Sequence, residues 1–192
     1  MEAENILTQT PNANAYASAS SDKQFSSGRI NPNLDSKLTA WVINPFVKFH
    51  GLEIFGNYEV AKGTSKSEES AQVVTPGSNT AVRDALSRAR QLEERTWTQM
   101  AADVIYRFGD TENFWVGGRY NTVSGRPVST PKMVYTKDIT VDRIAVSGGW
   151  FMTKSIMAKL EYVQQTYSDL PTNNILDGGE FSGIMLEAVV GF

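Results

Sequence analysis

The sequence contains no cysteine and a single histidine, His50. Without cysteine there are no disulfide frameworks, no thiol catalysis and no cysteine-held zinc. A catalytic His50 would need a nucleophile and an orienting acid nearby. Only Glu53 is close in sequence, and His50-Gly51 has the composition of a turn, so we read His50 as a turn residue. An excess of one charge is also missing: 18 basic residues stand against 21 acidic ones, interspersed, with a net charge of −3. No basic surface points to nucleic acid. No apolar run approaches the roughly 18 residues that a spanning helix needs, and Met1-Glu2-Ala3-Glu4 offers neither a basic nor an apolar leader region. There is no phosphate loop, no dinucleotide turn and no helical His-Glu pair. The expectation is therefore a chain without enzymatic activity or cofactor.

What the chain has in quantity is period-two alternation, in segments of the length that lets a tilted strand cross a bilayer. From about Leu38 to Phe49, Trp41, Ile43, Val47 and Phe49 share one face, with Asn44 and Lys48 on the other. After His50-Gly51, Leu52, Ile54, Gly56, Tyr58 and Val60 oppose Glu53, Phe55, Asn57 and Glu59. The pattern returns from about Trp97 to Phe108, then from Phe114 to Asn121 across the turn Gly109-Asp110-Thr111-Glu112. Arg143 to Met152 and Ile156 to Gln165 form another pair about Thr153-Lys154, and Gly183 to Phe192 ends the chain. Seven strands are thus expected over residues 38–192, after a polar segment 1–37 read as an outer loop.

The links between them alternate short and long. The long ones, about Ala61 to Thr96, Val123 to Asp138 and Tyr167 to Gly179, are rich in Ser, Thr, Gly, Pro and charge. Outer-membrane barrels show this asymmetry, whereas soluble meanders have no such rule. Within the longest link, Ala81 to Glu94 could form a helix with little apolar stripe or extend the hairpin; we favour the extension. The run Glu93-Glu94-Arg95 reads as solvated surface. Asp169, Asn173, Asn174, Asp177 and Glu180 offer hard oxygen ligands without calcium-loop spacing, so turn chemistry at Asp177-Gly178-Gly179 is preferred and no metal is expected.

Charges of both signs mark the polar stripe: Glu53, Glu59, Asp103, Arg107, Arg119, Arg143, Lys159, Glu161 and Glu187. They suit a water-filled lumen in which neighbouring strands pair opposite charges, and a solvated outer face equally well. Rings at Trp41, Phe49, Tyr106, Phe108, Phe114, Trp150, Tyr162 and Phe192 lie toward strand ends on the apolar stripe, as interfacial girdles would.

Val42-Ile43-Asn44-Pro45-Phe46, Gly51-Leu52-Glu53-Ile54-Phe55-Gly56, Tyr106-Arg107-Phe108-Gly109, Gly118-Arg119-Tyr120-Asn121-Thr122-Val123-Ser124-Gly125, Ala158-Lys159-Leu160-Glu161-Tyr162-Val163 and Leu186-Glu187-Ala188-Val189-Val190-Gly191-Phe192 carry a resemblance. From about residue 30 onward the chain resembles the C-terminal region of porin-like outer-membrane β-barrel proteins of Bacteroidetes type. The resemblance implies an all-β, antiparallel up-and-down transmembrane β-barrel in the bacterial outer membrane, in contact with its lipid and assembly machinery. It further implies that Tyr162, Ile184, Leu186, Ala188, Val190 and Phe192 form the strand signal read during assembly.

The expected function is a passive diffusion pore for small solutes, with self-association left open. Two alternatives stand beside it: a structural or adhesive barrel with a plugged lumen acting through its outer loops, and a soluble ligand-binding β domain. Seven strands starting on the outer side suggest part of a larger barrel, because bacterial single-chain barrels normally have an even number. Ala15 to Ile30 is the one stretch that could supply an eighth strand.

Overall fold

Alternating segments bounded by Gly, Asn, Asp and Ser turns favour strands, and the computed structural model, which describes residues 30–77, 79–130 and 133–191, places strands over all seven. They are β1 (Ser36–Ile43), β2 (Phe46–Phe49), β3 (Leu52–Thr64), β4 (Arg95–Phe108), β5 (Phe114–Gly125), β6 (Ile139–Thr153), β7 (Ile156–Ser168) and β8 (Glu180–Val190). All belong to one antiparallel up-and-down sheet of eight strands, in the order β1-β3-β4-β5-β6-β7-β8, with β2 also on β3. The sheet is open: β1 and β2 form one edge and β8 the other. Phe192 and nearly all of the stretch Ala15 to Ile30 lie outside the described residues.

The first strand, expected to be continuous, is broken. Pro45 has no N–H to donate, which confines it to an edge or an interruption. Here β1 stops at Ile43 and β2 resumes at Phe46 along the same neighbour. The Pro45 carbonyl still accepts from the Gly56 N–H at 2.9 Å. A Cβ on Gly56 would stand 2.9 Å from Pro45 Cγ, so the close approach needs a glycine.

Three tight connections sit at one rim. His50 (φ 44°) and Gly51 (φ 77°) are both left-handed, as a two-residue type I′ hairpin turn requires. Gly51 is also fixed from across the sheet, its carbonyl accepting from Arg107 N at 2.8 Å. The other two connections are residues 109–113 and Lys154-Ser155. The opposite rim carries the long links, residues 65–94, 126–138 and 169–179.

In the first long link the favoured hairpin extension does not form. Residues Ala81–Leu92 are a helix, α1. Ala, Leu, Arg and Gln dominate it, all strong helix formers, and Asp84 in its first turn complements the helix dipole.

The two faces of the sheet differ sharply. Trp97 and Gln165 are 0% exposed on one, while Leu186 and Ile184 are 78% and 76% exposed on the other. Nearly all contacts between elements run between adjacent strands, with no second layer packed over the middle of the buried face among the described residues. Burial without a covering layer means that the sheet curls, with this face inside.

Candidate functional site on the inner face

Because successive side chains alternate, the strands from β3 to β8 turn most of their charged positions to one face, inward, and a continuous band of apolar positions to the other. Glu53, Glu59, Asp103, Arg107, Arg119, Arg143, Lys159, Glu161 and Glu187 all fall on the inner parity of the register. Glu187 is the most exposed of the paired acids on this face, since β8 is an edge.

Cross-strand register turns these charges into pairs. Arg107 Nε donates to Glu53 Oε1 at 3.0 Å and its Nη2 to Oε2 at 3.4 Å, a two-point grip, while Lys48 Nζ reaches the same Oε1 at 2.9 Å. Asp103 stands directly opposite Arg119 and forms a nearly buried ion pair with it. Lys159 lies 2.9 Å from Glu161 on its own strand and 3.7 Å from Glu187 directly across. Arg143 donates to Gln165 Oε1 at 2.7 Å, and Gln165 Nε2 in turn to the Tyr167 hydroxyl at 2.6 Å. Burying ions costs several kcal/mol each unless they are paired and hydrogen-bonded. The partners needed are supplied by cross-strand register and, for Lys159 with Glu161 and Gln165 with Tyr167, by the i, i+2 spacing along β7.

Near the tight-turn rim this polar face opens into a recess of about 340 Å³ lined by Ile105, Arg107, Trp115, Phe151, Met157, Lys159 and Glu187. Arg107 lies over the Phe151 ring, 5.5 Å from its centroid. Toward the long-link rim the same face becomes apolar. Trp97, Val123, Ile139, Val141 and Tyr167 pack there with Leu170 and Leu176 from the last long link and with Ile30 and Leu34 from the segment before β1. Residues 30–34 thus cross the inner side of the sheet, although the segment ending at residue 37 reads as a polar outer loop in the sequence.

Arg95 holds that crossing segment. Its guanidinium donates to the carbonyls of Pro32 (3.1 Å), Asn33 (2.9 Å) and Arg126 (3.3 Å) and to the Ser65 hydroxyl. The solvated reading of Glu93-Glu94-Arg95 is corrected here: Arg95 is 4% exposed, because it heads β4 with inward parity while Glu93 and Glu94 point to water. Its role was invisible in the sequence, since its acceptors are mostly main-chain atoms 31–63 residues away.

Two indoles follow one rule. Trp97 stands directly opposite Gly125, and Trp115 directly opposite Gly149. A Cβ on either glycine would clash with the ring lying over it.

On the outer face, a row of rings runs across β4, β5 and β6 at the tight-turn rim. Tyr106 and Phe108 stack at 6.3 Å, Phe108 and Phe114 at 5.9 Å, and Phe114 and Trp150 at 5.8 Å. Toward the other rim, Trp41, Tyr58, Tyr120 and Tyr162 occupy outward positions. Beyond them the outer face turns polar at Lys62, Thr98, Asp142, Gln164 and Ser182. The outward stripe of β7 and β8 pairs Tyr162 with Ile184, Leu160 with Leu186, Ala158 with Ala188 and Ile156 with Val190.

His50 sits in its turn with its ring edge-on to Phe49, 4.1 Å away. The Asn174 side chain accepts from Leu176 N at 2.9 Å and Glu180 from Gln164 at 2.5 Å. No protein-family model matches the sequence and no curated protein does, so the assignment of function rests on the two faces of this sheet.

Proposed function

We propose that this chain is wall of an outer-membrane β-barrel, the C-terminal part of a porin-like protein of the Bacteroidetes type, acting as a passive diffusion pore for small solutes. The observation that carries the reading is the outward placing of an apolar band, bounded by ring-bearing rows, while the ion pairs face inward. In water each half-exposed Leu, Ile or Val leaves on the order of 1 kcal/mol unrealised. Over the dozen or so such side chains of the outer band this comes to ~12 kcal/mol, as large as the 5–15 kcal/mol net stability of an ordinary domain. A lipid environment removes that penalty. The height is also suitable: Met100 to Phe108 at about 3.4 Å per residue and about 40° tilt spans roughly 21 Å, near the ~25 Å band of such barrels.

An open edge in lipid would leave main-chain groups without partners. The reading therefore requires further strands between β8 and β1–β2. The inner charges would line the lumen, with lipid and the assembly machinery as partners on the outer side. Neither catalysis nor nucleic-acid binding enters the reading.

Reconstitution into planar bilayers tests it. A pore gives stable conductance steps with weak ion selectivity, as balanced inner charges require; strong anion selectivity or an absence of steps counts against it. The absence of steps would favour the second reading, a plugged structural or adhesive barrel. That reading has an observation of its own: the apolar packing around Trp97 and the segment held by Arg95 fill the inner side at the long-link rim.

A further inference from the structure

Helix α1 is mounted the unusual way round. Its polar side is tied to its own loop: Asp84 accepts from Gln72 Nε2 at 2.9 Å, and Arg88 donates to the carbonyls of Glu68 (2.9 Å) and Ala71 (3.4 Å). The Gln91 carbonyl accepts from Ser65 N at 3.1 Å and Lys66 N at 3.2 Å. The apolar positions, Val82, Ala85, Leu86 and Ala89, follow the i, i+3, i+4, i+7 spacing of a single helical face, and all four are exposed, Val82 to 83%. Arg83 and Arg90 border that arc, and the single acid of the helix, Asp84, faces away from it into the loop.

We infer that α1 is an interfacial helix that lays this arc on the anionic head-group zone of the membrane beside the barrel wall. The inference rests on the membrane reading proposed above. A strongly amphipathic helix of low mean hydropathy with arginines flanking its apolar face is the form that lies in a bilayer interface. Its charge favours such a surface, with three arginines against one aspartate over Ala81–Leu92. Its height fits as well. The helix is pinned at its C-terminal end to Ser65, just beyond the end of β3, and the outer apolar band begins at Val60. Five residues at about 3.3 Å and about 40° tilt put that anchor roughly 13 Å above the band, and the helix, about 18 Å long, reaches from there to a head-group layer. A second protein is the competing occupant, but cations around a shallow apolar arc suit phosphate heads better than a groove.

The absence of cysteine makes the test clean. Single nitroxide labels are placed by Val82→Cys, Leu86→Cys, Ser87→Cys and, within the outer band, Val146→Cys, and the full chain is reconstituted into phosphatidylcholine vesicles with and without phosphatidylglycerol. Collisions with oxygen, concentrated in lipid, are compared with those with a water-soluble nickel chelate. The expected result is lipid-like collision ratios at 82 and 86, severalfold above that at 87, and strengthened by phosphatidylglycerol. Water-like ratios at 82 and 86 with a lipid-like ratio at 146 overturn the interfacial helix alone. Water-like ratios everywhere overturn the membrane reading and the helix with it. Labels at 82 and 86 shielded from both reagents, with spin–spin broadening, assign the arc to a second copy and also overturn the inference.

Discussion

The inner face of this sheet is two surfaces joined end to end. Toward the tight-turn rim, Glu53, Asp103, Arg107, Arg119, Lys159 and Glu161 are joined pairwise, and Arg107 and Lys159 line a recess. Toward the long-link rim, Trp97, Val123 and Val141 are sealed beneath Ile30 and Leu34. Both halves are buried by the same curl. They differ in what holds them: ion pairs within and between adjacent strands in one, contacts from distant loops and a preceding segment in the other. The first half is a property of the sheet, while the second depends on the chain before β1 staying in place.

The largest effect expected from breaking this contrast is at Arg95. Arg95→Ala removes the donor to three carbonyls and a hydroxyl in a dry setting, at a cost of about 3 kcal/mol. Urea titration of the reconstituted protein measures the loss, and amide hydrogen exchange will locate it in residues 30–34 and the long-link rim, with the tight-turn rim unaffected. If the two halves loosen together, they are one unit.

Smaller, and confined to the charged half, is the coupling between Asp103 and Arg119. A double-mutant cycle with Asp103→Asn and Arg119→Gln should return about 1–3 kcal/mol, because both side chains are nearly buried. The same cycle on the exposed pair Lys62 and Glu94 should give no more than about 0.5 kcal/mol. Equal values would mean that water reaches the inner pair freely.

The smallest effect is at alkaline pH. Tyr135 borders the apolar cluster, accepts from Asn174 Nδ2 at 3.4 Å, and burial pushes its phenol above the ordinary tyrosine range. The unfolded phenol ionises first, so the stability tied to this group is complete below the usual tyrosine pKa and is lost as pH rises through the folded value. Denaturation curves should show that decline in the parent and a flatter profile in Tyr135→Phe.

The strands were legible because alternation with Gly and Asn turns is a local signal, and each of the seven stretches carries it unaided. Which stripe lies inside was not: Glu53 or Arg119 would sit as comfortably on a solvated outer surface, and only the curl decides. The break at Pro45 was written in the residue but hidden by apolar neighbours that continue the pattern across it. Helix α1 was the less favoured of the two readings of its stretch because its apolar positions, two of them alanine, make only a thin stripe among three arginines. The inward role of Ile30 and Leu34 could not be read, as two isolated apolar residues in a polar stretch carry no period.

The two indole–glycine crossings have a consequence for how such a sheet finds its alignment. A hairpin can slide by two residues and still keep its inner and outer stripes, so alternation does not forbid that error. With Trp97 over Gly125, such a slide would bring the indole against Val123, and with Trp115 over Gly149 against Ser147 or Phe151. Each ring is thus a key with one slot, one near each rim. Substituting the slots, Gly125→Val or Gly149→Val, should cost about 1–3 kcal/mol by overpacking and, in addition, populate misaligned β4–β5 or β5–β6 hairpins detectable as a second set of cross-strand disulfides in engineered cysteine pairs. Alignment of β4 with β5 and of β5 with β6 is therefore stored in two aromatic side chains, not in the stripe pattern that defines the strands.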